Sequence, residues 1–192
     1  MAKQPLIKNA WVQRLTLFLL TLAVVGFSVK SCERRWQLGH VPVAFHISEI
    51  IYSKEDSQGF GPGAREAGVV VYKLPDETIR SVREQGLIFV SASNSQIADG
   101  QDGYRRNYSN WKTTSVEGFS EWKCEPIECP SPGKISVQNF LGHNGYGVSL
   151  PSHVSKEIDK VMSTPGSYYG RGRVGTLIIA PGFGKAYFVF SG

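Results

Sequence analysis

Leu15–Val29 reads LTLFLLTLAVVGFSV, fifteen residues with no charged side chain, no proline and a single glycine. Extended back to Ala10, the segment is twenty residues long. As a helix, twenty residues span about 30 Å, which is the thickness of the hydrocarbon core of a bilayer. A buried core helix is the alternative, but the basic residues on both flanks favour a membrane. The sequence therefore predicts a transmembrane helix over residues 10–29.

Five side chains near the two ends are expected at the membrane interface: Trp11, Arg14, Lys30, Arg34 and Arg35. Trp favours headgroup depth, and the long stems of Lys and Arg let their charges reach it. Three Lys or Arg residues lie on each side, so their count does not determine the orientation. The downstream cysteines and the lack of a second apolar segment favour a single-pass protein of the inner or plasma membrane. Its N-terminus is then cytoplasmic and its C-terminal domain extracytoplasmic, which means periplasmic in a bacterium.

Two other interpretations of this segment remain open. In the first, it is a cleaved secretory signal, because Gly26 and Ser28 supply small residues at the minus-three and minus-one positions of a cleavage site near Ser28. The domain would then be secreted. In the second, Cys32 carries a lipid, but Lys30 places a charge where such sites have small apolar residues. An uncleaved signal anchor is the preferred interpretation.

The chain is accordingly divided into a cytoplasmic N-terminus (1–9), a signal anchor (10–29), a connector (30–40) and an extracytoplasmic domain (41–192). Six of the 21 Lys and Arg residues and one of the 16 Asp and Glu residues lie among the first 35. The other 157 residues therefore carry 15 charges of each sign, and the net charge of +5 belongs to the membrane flanks. Binding to phosphate backbones needs a basic face, so nucleic acid is not an expected partner of this neutral domain.

Cys124 and Cys129 bracket a short loop that bends at Pro126. Outside the cytoplasm we expect a disulfide between them, worth about 2 kcal/mol for so small a ring. The alternative is a zinc site completed by His143 and His153. These histidines are ten residues apart, wider than the usual spacing of such sites. We therefore expect no metal and no other cofactor.

The rest of the chain predicts an α+β domain with two short helices on one mixed sheet. Strands are expected at residues 41–52, 69–72, 87–90, 174–180 and 186–190, where branched and aromatic residues concentrate. Helices are expected from Pro75 to Gly86 and from Ser152 to Thr164, each opening after Leu-Pro. Residues 53–68 are expected to form a loop, and 135–141 a further strand. The pattern does not decide between parallel and antiparallel pairing.

No motif of a known catalytic class is present: the chain has no nucleophile elbow, Walker loop, dinucleotide fingerprint or His-Glu-x-x-His. A hydrolase outside the cytoplasm is the alternative function. It would use His143 or His153, the latter four residues before Glu157 on the second helix. A solvated His–Glu pair explains that spacing equally well.

Two tyrosines and two arginines are concentrated in a glycine-rich segment: Tyr168, Tyr169, Arg171 and Arg173. Aromatic rings and guanidinium groups are enriched where proteins bind partners. One interpretation is a loop that contacts an envelope protein or polymer, and the other is an amphipathic loop that packs its tyrosines on the sheet. Residues 10–29 are expected to contact membrane lipid. The oligomeric state is not predicted. The expected function is a membrane-anchored extracytoplasmic binding or interaction protein without catalytic activity.

Overall fold

The computed structural model describes residues 6–58, 65–93, 107–115, 122, 134–142 and 147–191. Two compact units are present, Met1–Gln37 and Leu38–Gly192. The first unit is a helix, and the second is built around one sheet.

Helix α1 runs from Leu6 to Leu38. Its segment Trp11–Leu38 is long and apolar enough to cross a membrane, and an 18-residue window within it has a mean hydropathy of 1.9. The hydroxyls of Thr16, Thr21 and Ser28 donate hydrogen bonds of 2.9, 2.9 and 2.8 Å to carbonyls four residues earlier. These polar groups are therefore satisfied within the helix, as a lipid environment requires. The helix extends beyond the predicted end at residue 29, because the following residues include the good helix formers Glu, Arg, Gln and Leu.

In the part of the second unit that the structure describes, six strands form the sheet: β1 (Ile50–Gln58), β2 (Arg65–Lys73), β3 (Tyr108–Thr113), β4 (Tyr168–Gly172), β5 (Gly175–Ala180) and β6 (Lys185–Ser191). Their spatial order is β1-β2-β6-β5-β4-β3, and each neighbouring pair is antiparallel. The described residues also form four α-helices beside the sheet strands: α2 (Asp76–Gln85), α3 (Leu87–Ala92), α4 (Val137–Gly142) and α5 (Ser152–Ser163). The α+β class is confirmed, and the expected mixed sheet is corrected to an antiparallel one.

Residues 87–90 form part of helix α3 and not the predicted strand. Strand β2, which contains the predicted strand 69–72, already pairs with β1 on one side and with β6 on the other. No edge of β2 is left, and a short apolar run without a strand partner is free to become helical. Within α3 only Val90 is buried, whereas Ile88 is 76% exposed.

Three further boundaries differ from the prediction. Strand β1 begins only at Ile50, and Val43–Phe45 forms a 3-10 helix that ends at His46, whose φ is +49°. Much of the predicted loop 53–68 belongs to β1 and β2, because residues 53–58 pair with residues 65–70 in an antiparallel ladder. Residues 137–142 form helix α4, since Val137, Phe140 and Leu141 recur at helical spacing and are buried.

The core lies on both faces of the sheet. On the first face, Val69, Tyr187, Val189 and Ile178 join the cluster that contains the apolar stripe of α5. The stripe consists of Val154, Ile158, Val161 and Met162. Residues opposite each other in an antiparallel pair share a face, so the register assigns this set to one side. We call this side the α5 face.

The opposite face is rich in aromatic residues. The ring of Phe188 stacks on His40 at 4.5 Å between centroids and on Phe190 at 5.2 Å. The hydroxyl of Tyr108 donates a 2.6 Å hydrogen bond to the carbonyl of His40. This bond attaches the start of the domain to β3, the strand at one end of the sheet.

Candidate functional site

The segment predicted to be a partner-binding loop is strand β4 and its end. Successive side chains of a strand point to opposite faces, so Tyr169 and Arg171 lie on the α5 face and Tyr168 on the other. The hydroxyl of Tyr168 lies 3.0 Å from the position that a Cβ atom on Gly86 would occupy. Tyr168 is thus separated from the other three predicted residues.

The glycines of this segment make room for aromatic rings. A Cβ atom on Gly170 would lie 2.8 Å from the indole of Trp111, and one on Gly172 would lie 2.9 Å from the ring of Tyr108. Both aromatic residues belong to the neighbouring strand β3. The Gly-Arg-Gly pattern therefore reflects close packing of two strands and not the flexibility of a loop.

Strand β3 adds a cation that the sequence did not indicate. Lys112 pairs with Tyr169, and Ser109 pairs with Arg171, with a register shift between the two. Asn110 lies within this irregularity at a φ of +54°. A bulge re-aims the side chains that follow it, which here sends Trp111 towards Phe45. Lys112 is consequently placed beside Tyr169.

Two adjoining clefts result, and both are lined by Arg171. The first, of about 400 Å³, is lined by Asn110, Lys112, Tyr169 and Arg171. The second, of about 440 Å³, is lined by Asn107, Ser109, Arg171, Gly172 and Arg173. We refer to the two together as the Arg171 cleft.

The Arg171 cleft is positively charged. Lys112, Arg171 and Arg173 contribute three cations, and the residues described around the two clefts include no Asp or Glu. Burial raises the pKa of Tyr169, and the nearby Arg171 offsets this only in part. The phenol of Tyr169 is therefore neutral at physiological pH. A neutral domain thus contains one local basic surface that can attract an anion.

The residues missed by sequence reasoning are those on β3. The one available signal was the composition of YSNWKT, which contains Tyr, Trp and Thr and is typical of a strand. The pairing with β4, far along the chain, is what brings Asn107, Ser109 and Lys112 to Arg171.

Glu157 is hydrogen-bonded to residues of β6, and His153 influences the Glu157 carboxylate only through a Coulombic interaction. Its carboxylate accepts hydrogen bonds of 2.7 and 2.8 Å from Lys185 Nζ and one of 2.7 Å from the Tyr187 hydroxyl. Burial acts to raise the pKa of Glu157, but the hydrogen bonds from Lys185 and Tyr187 outweigh it and lower the pKa. His153 is exposed on α5. This arrangement holds helix α5 on β6 and assembles no acid–base pair in the part of the chain that is described.

The Glu157 interactions predict a pH-dependent stability. A lowered pKa means that folding favours the ionised carboxylate, so its contribution is complete above the ordinary pKa of 4.5 and is lost as the pH falls through the lowered value. We expect Glu157→Gln to reduce the free energy of unfolding by about 1 kcal/mol at neutral pH. That difference should shrink when urea titrations of the full chain in non-ionic detergent are repeated at about pH 3.

Glu84→Gln is the matched control, because Glu84 is exposed on α2. Its effect should stay within about 0.5 kcal/mol at either pH. A Glu157→Gln deficit that does not change with pH would contradict the assignment.

The remaining predicted site residues are distributed as follows. Trp11, Arg14, Lys30, Arg34 and Arg35 lie exposed along α1. The thiol of Cys32 is free and exposed.

Cys124, Cys129 and His143 lie outside the described residues, so the disulfide stays a prediction. Among the residues that are described, no group of three His, Cys, Asp or Glu could hold a metal ion.

Comparisons of the chain with protein-family models, with curated proteins and with solved structures found no match.

Proposed function

We propose that this chain is a membrane-anchored, extracytoplasmic binding protein whose Arg171 cleft recognises an anionic partner in the cell envelope. Helix α1 is the anchor, and the second unit is the binding domain. The observation that carries the proposal is the convergence of Lys112, Arg171 and Arg173 around two adjoining clefts. The proposed role is binding without catalysis.

The anchor is supported by the continuity of α1. The helix passes through Ser28 without a break and continues to Leu38. None of its apolar window is buried, so the helix needs an apolar environment. A lipid bilayer provides one. A domain secreted after cleavage near Ser28 is the alternative, and it would lose most of this helix.

The hydrolase alternative has less support. Glu157, the expected partner of His153, is engaged by Lys185 and Tyr187. A general base must lie within hydrogen-bond reach of its proton and be oriented by a further group. The described residues near His153 provide no such arrangement, whereas the Arg171 cleft has a consistent charge and a defined shape.

Photo-crosslinking in native membranes tests the proposal. A benzophenone amino acid at Ser109, which is exposed at the cleft, is expected to capture a partner in cells that produce the full chain. The same group at Arg80, exposed on α2, is expected to capture none. Adding Arg171→Glu should reduce the Ser109 product by about tenfold, because a repulsive charge replaces an attractive one.

Equal capture from Ser109 and Arg80 would contradict a specific partner at the cleft. So would a Ser109 product that is insensitive to Arg171→Glu. The Arg80→Glu variant, which changes the net charge by the same amount, is expected to leave the Ser109 product unchanged.

A further inference from the structure

Exposed aliphatic side chains of the second unit are concentrated in two short segments. Four large apolar side chains are exposed among its described residues, and three of them lie in the 3-10 helix and in α3: Val43, Leu87 and Ile88. Their exposed fractions are 50%, 38% and 76%. We call these three residues the aliphatic patch. Single exposed leucines are ordinary, but exposed apolar residues gathered in neighbouring segments mark an interaction site.

The two segments that carry the patch pack together on one face of the sheet. The rings of Phe45 in the 3-10 helix and Phe89 in α3 lie 5.9 Å apart between centroids. Phe45 also packs edge-on against Trp111 at 6.3 Å, and the indole of Trp111 occupies the side to which a Cβ atom on Gly170 would point. The register assigns that side to the face opposite the α5 face, which we call the aromatic face. The patch is therefore carried by the layer that covers the aromatic face.

This layer begins immediately after helix α1. The helix ends at Leu38, and His40 already stacks on Phe188, a residue of the aromatic face. Two residues of extended chain span at most about 7 Å, so the chain between α1 and the layer is too short to act as a flexible spacer. The carbonyl of Phe45 then accepts a 2.8 Å hydrogen bond from the buried hydroxyl of Thr78, which fixes the 3-10 helix to α2.

We infer that the aliphatic patch contacts the lipid surface of the membrane that α1 crosses. This inference rests on the proposed function, because it takes α1 to be an anchor. Arg35, expected at headgroup depth, lies only three residues before Leu38, and Val43 lies five residues after it. Five residues of extended chain span at most about 17 Å, which keeps the patch within reach of the interface. Aliphatic side chains gain free energy when they are buried at the boundary between headgroups and acyl chains.

The inference gives the two faces of the sheet different roles. The patch belongs to the layer on the aromatic face, whereas Tyr169 and Arg171 of the Arg171 cleft lie on the α5 face. With the patch against the lipid, the α5 face is directed away from the membrane surface. An anionic partner in the envelope can then reach the cleft while the domain stays in contact with the bilayer.

Site-specific fluorescence in vesicles tests the inference. The full chain, with an environment-sensitive fluorescent amino acid at Ile88, is reconstituted in vesicles of phosphatidylcholine and phosphatidylglycerol with or without brominated acyl chains. Bromine quenches fluorophores that reach the lipid, so emission from position 88 is expected to fall about twofold in the brominated vesicles. The same label at Lys156, exposed on α5, is expected to change by less than about 1.2-fold. A label at Leu19, within α1, reports on the anchor itself.

Aspartate variants test whether Val43 belongs to the same contact as Ile88. Val43→Asp is expected to reduce the quenching at position 88 by about threefold, because a charge at the lipid boundary must stay hydrated. Ile51→Asp is the matched control, since Ile51 is 44% exposed but lies on β1, at the other end of the sheet from β3. It should leave the quenching within about 1.2-fold. Val43→Asn, which adds no charge, should give an intermediate loss, and near-ultraviolet circular dichroism verifies that each variant is folded.

Four results would overturn the inference, and they differ in what they leave standing. Quenching at Leu19 with no more quenching at Ile88 than at Lys156 would exclude the lipid contact and leave the anchor intact. Equal quenching at Ile88 and Lys156 would do the same, because both faces would then meet lipid. Emission from position 88 that depends on the ratio of protein to lipid, but not on bromine, would indicate that a second copy of the chain covers the patch. No quenching at Leu19 would overturn the anchor and the inference together.

Discussion

Phe188→Ala is expected to reduce the free energy of unfolding of the domain by about 4 kcal/mol. Phe188 is fully buried and stacks between His40 and Phe190. Truncation removes the transfer free energy of the ring and leaves a cavity, because a paired central strand cannot collapse into the space. Urea titration of the full chain in non-ionic detergent, followed by tryptophan fluorescence, measures the loss.

Ile88→Ala is the control for this variant. Ile88 is 76% exposed on α3, so its truncation should cost less than about 0.5 kcal/mol. Phe188→Ala should also remove the ring on which the side chain of His40 stacks. An unfolding midpoint of Phe188→Ala within error of Ile88→Ala would show that the aromatic face of the sheet contributes little to stability.

Gly68→Ala is the second variant with a large expected effect, a loss of about 3 kcal/mol. A Cβ atom at this position would lie 2.6 Å from the carbonyl oxygen of Lys54 and 3.0 Å from the Cα atom of Glu55. Both are backbone atoms of the paired strand β1, and the ring of Phe190 is 2.9 Å away on the other side. Relief of these contacts requires the two strands to separate.

Gly182→Ala is the matched glycine control, since no heavy atom lies within 4 Å of the added methyl group. It should leave the urea midpoint unchanged or raise it slightly, because alanine restricts the unfolded chain. If Gly68→Ala were as stable as Gly182→Ala, that result would contradict the close approach of the β1 backbone to Gly68.

Local patterns were sufficient for several elements of the fold. Helices α2 and α5 both follow a Leu-Pro pair and lie within the ranges predicted for them. Strands β5 and β6 also form where strands were expected, and the turn at residues 181–184 joins them as a hairpin. These elements depend on residues close in sequence, so composition and spacing contain the necessary information.

The candidate site was predicted only in part. Arg171, Arg173 and Tyr169 were identified because aromatic residues and arginines are concentrated there. Lys112 was missed, and Tyr168 was included although it lies on the other face. Membership of the site depends on the face of each strand and on the pairing of β3 with β4. Neither the face nor the pairing can be inferred from the sequence until the segment is known to be a strand.

The sequence by itself determined the long apolar helix and the charge separation between basic flanks and a neutral domain. These follow from composition and from a periodicity of a few residues, which no distant contact can alter. The tertiary structure decided the order and antiparallel pairing of the strands, the helical conformation of residues 87–90 and the position of Lys112 beside Tyr169. Each of these depends on which distant strand occupies an edge, and short runs of residues adopt whichever structure the available partners allow.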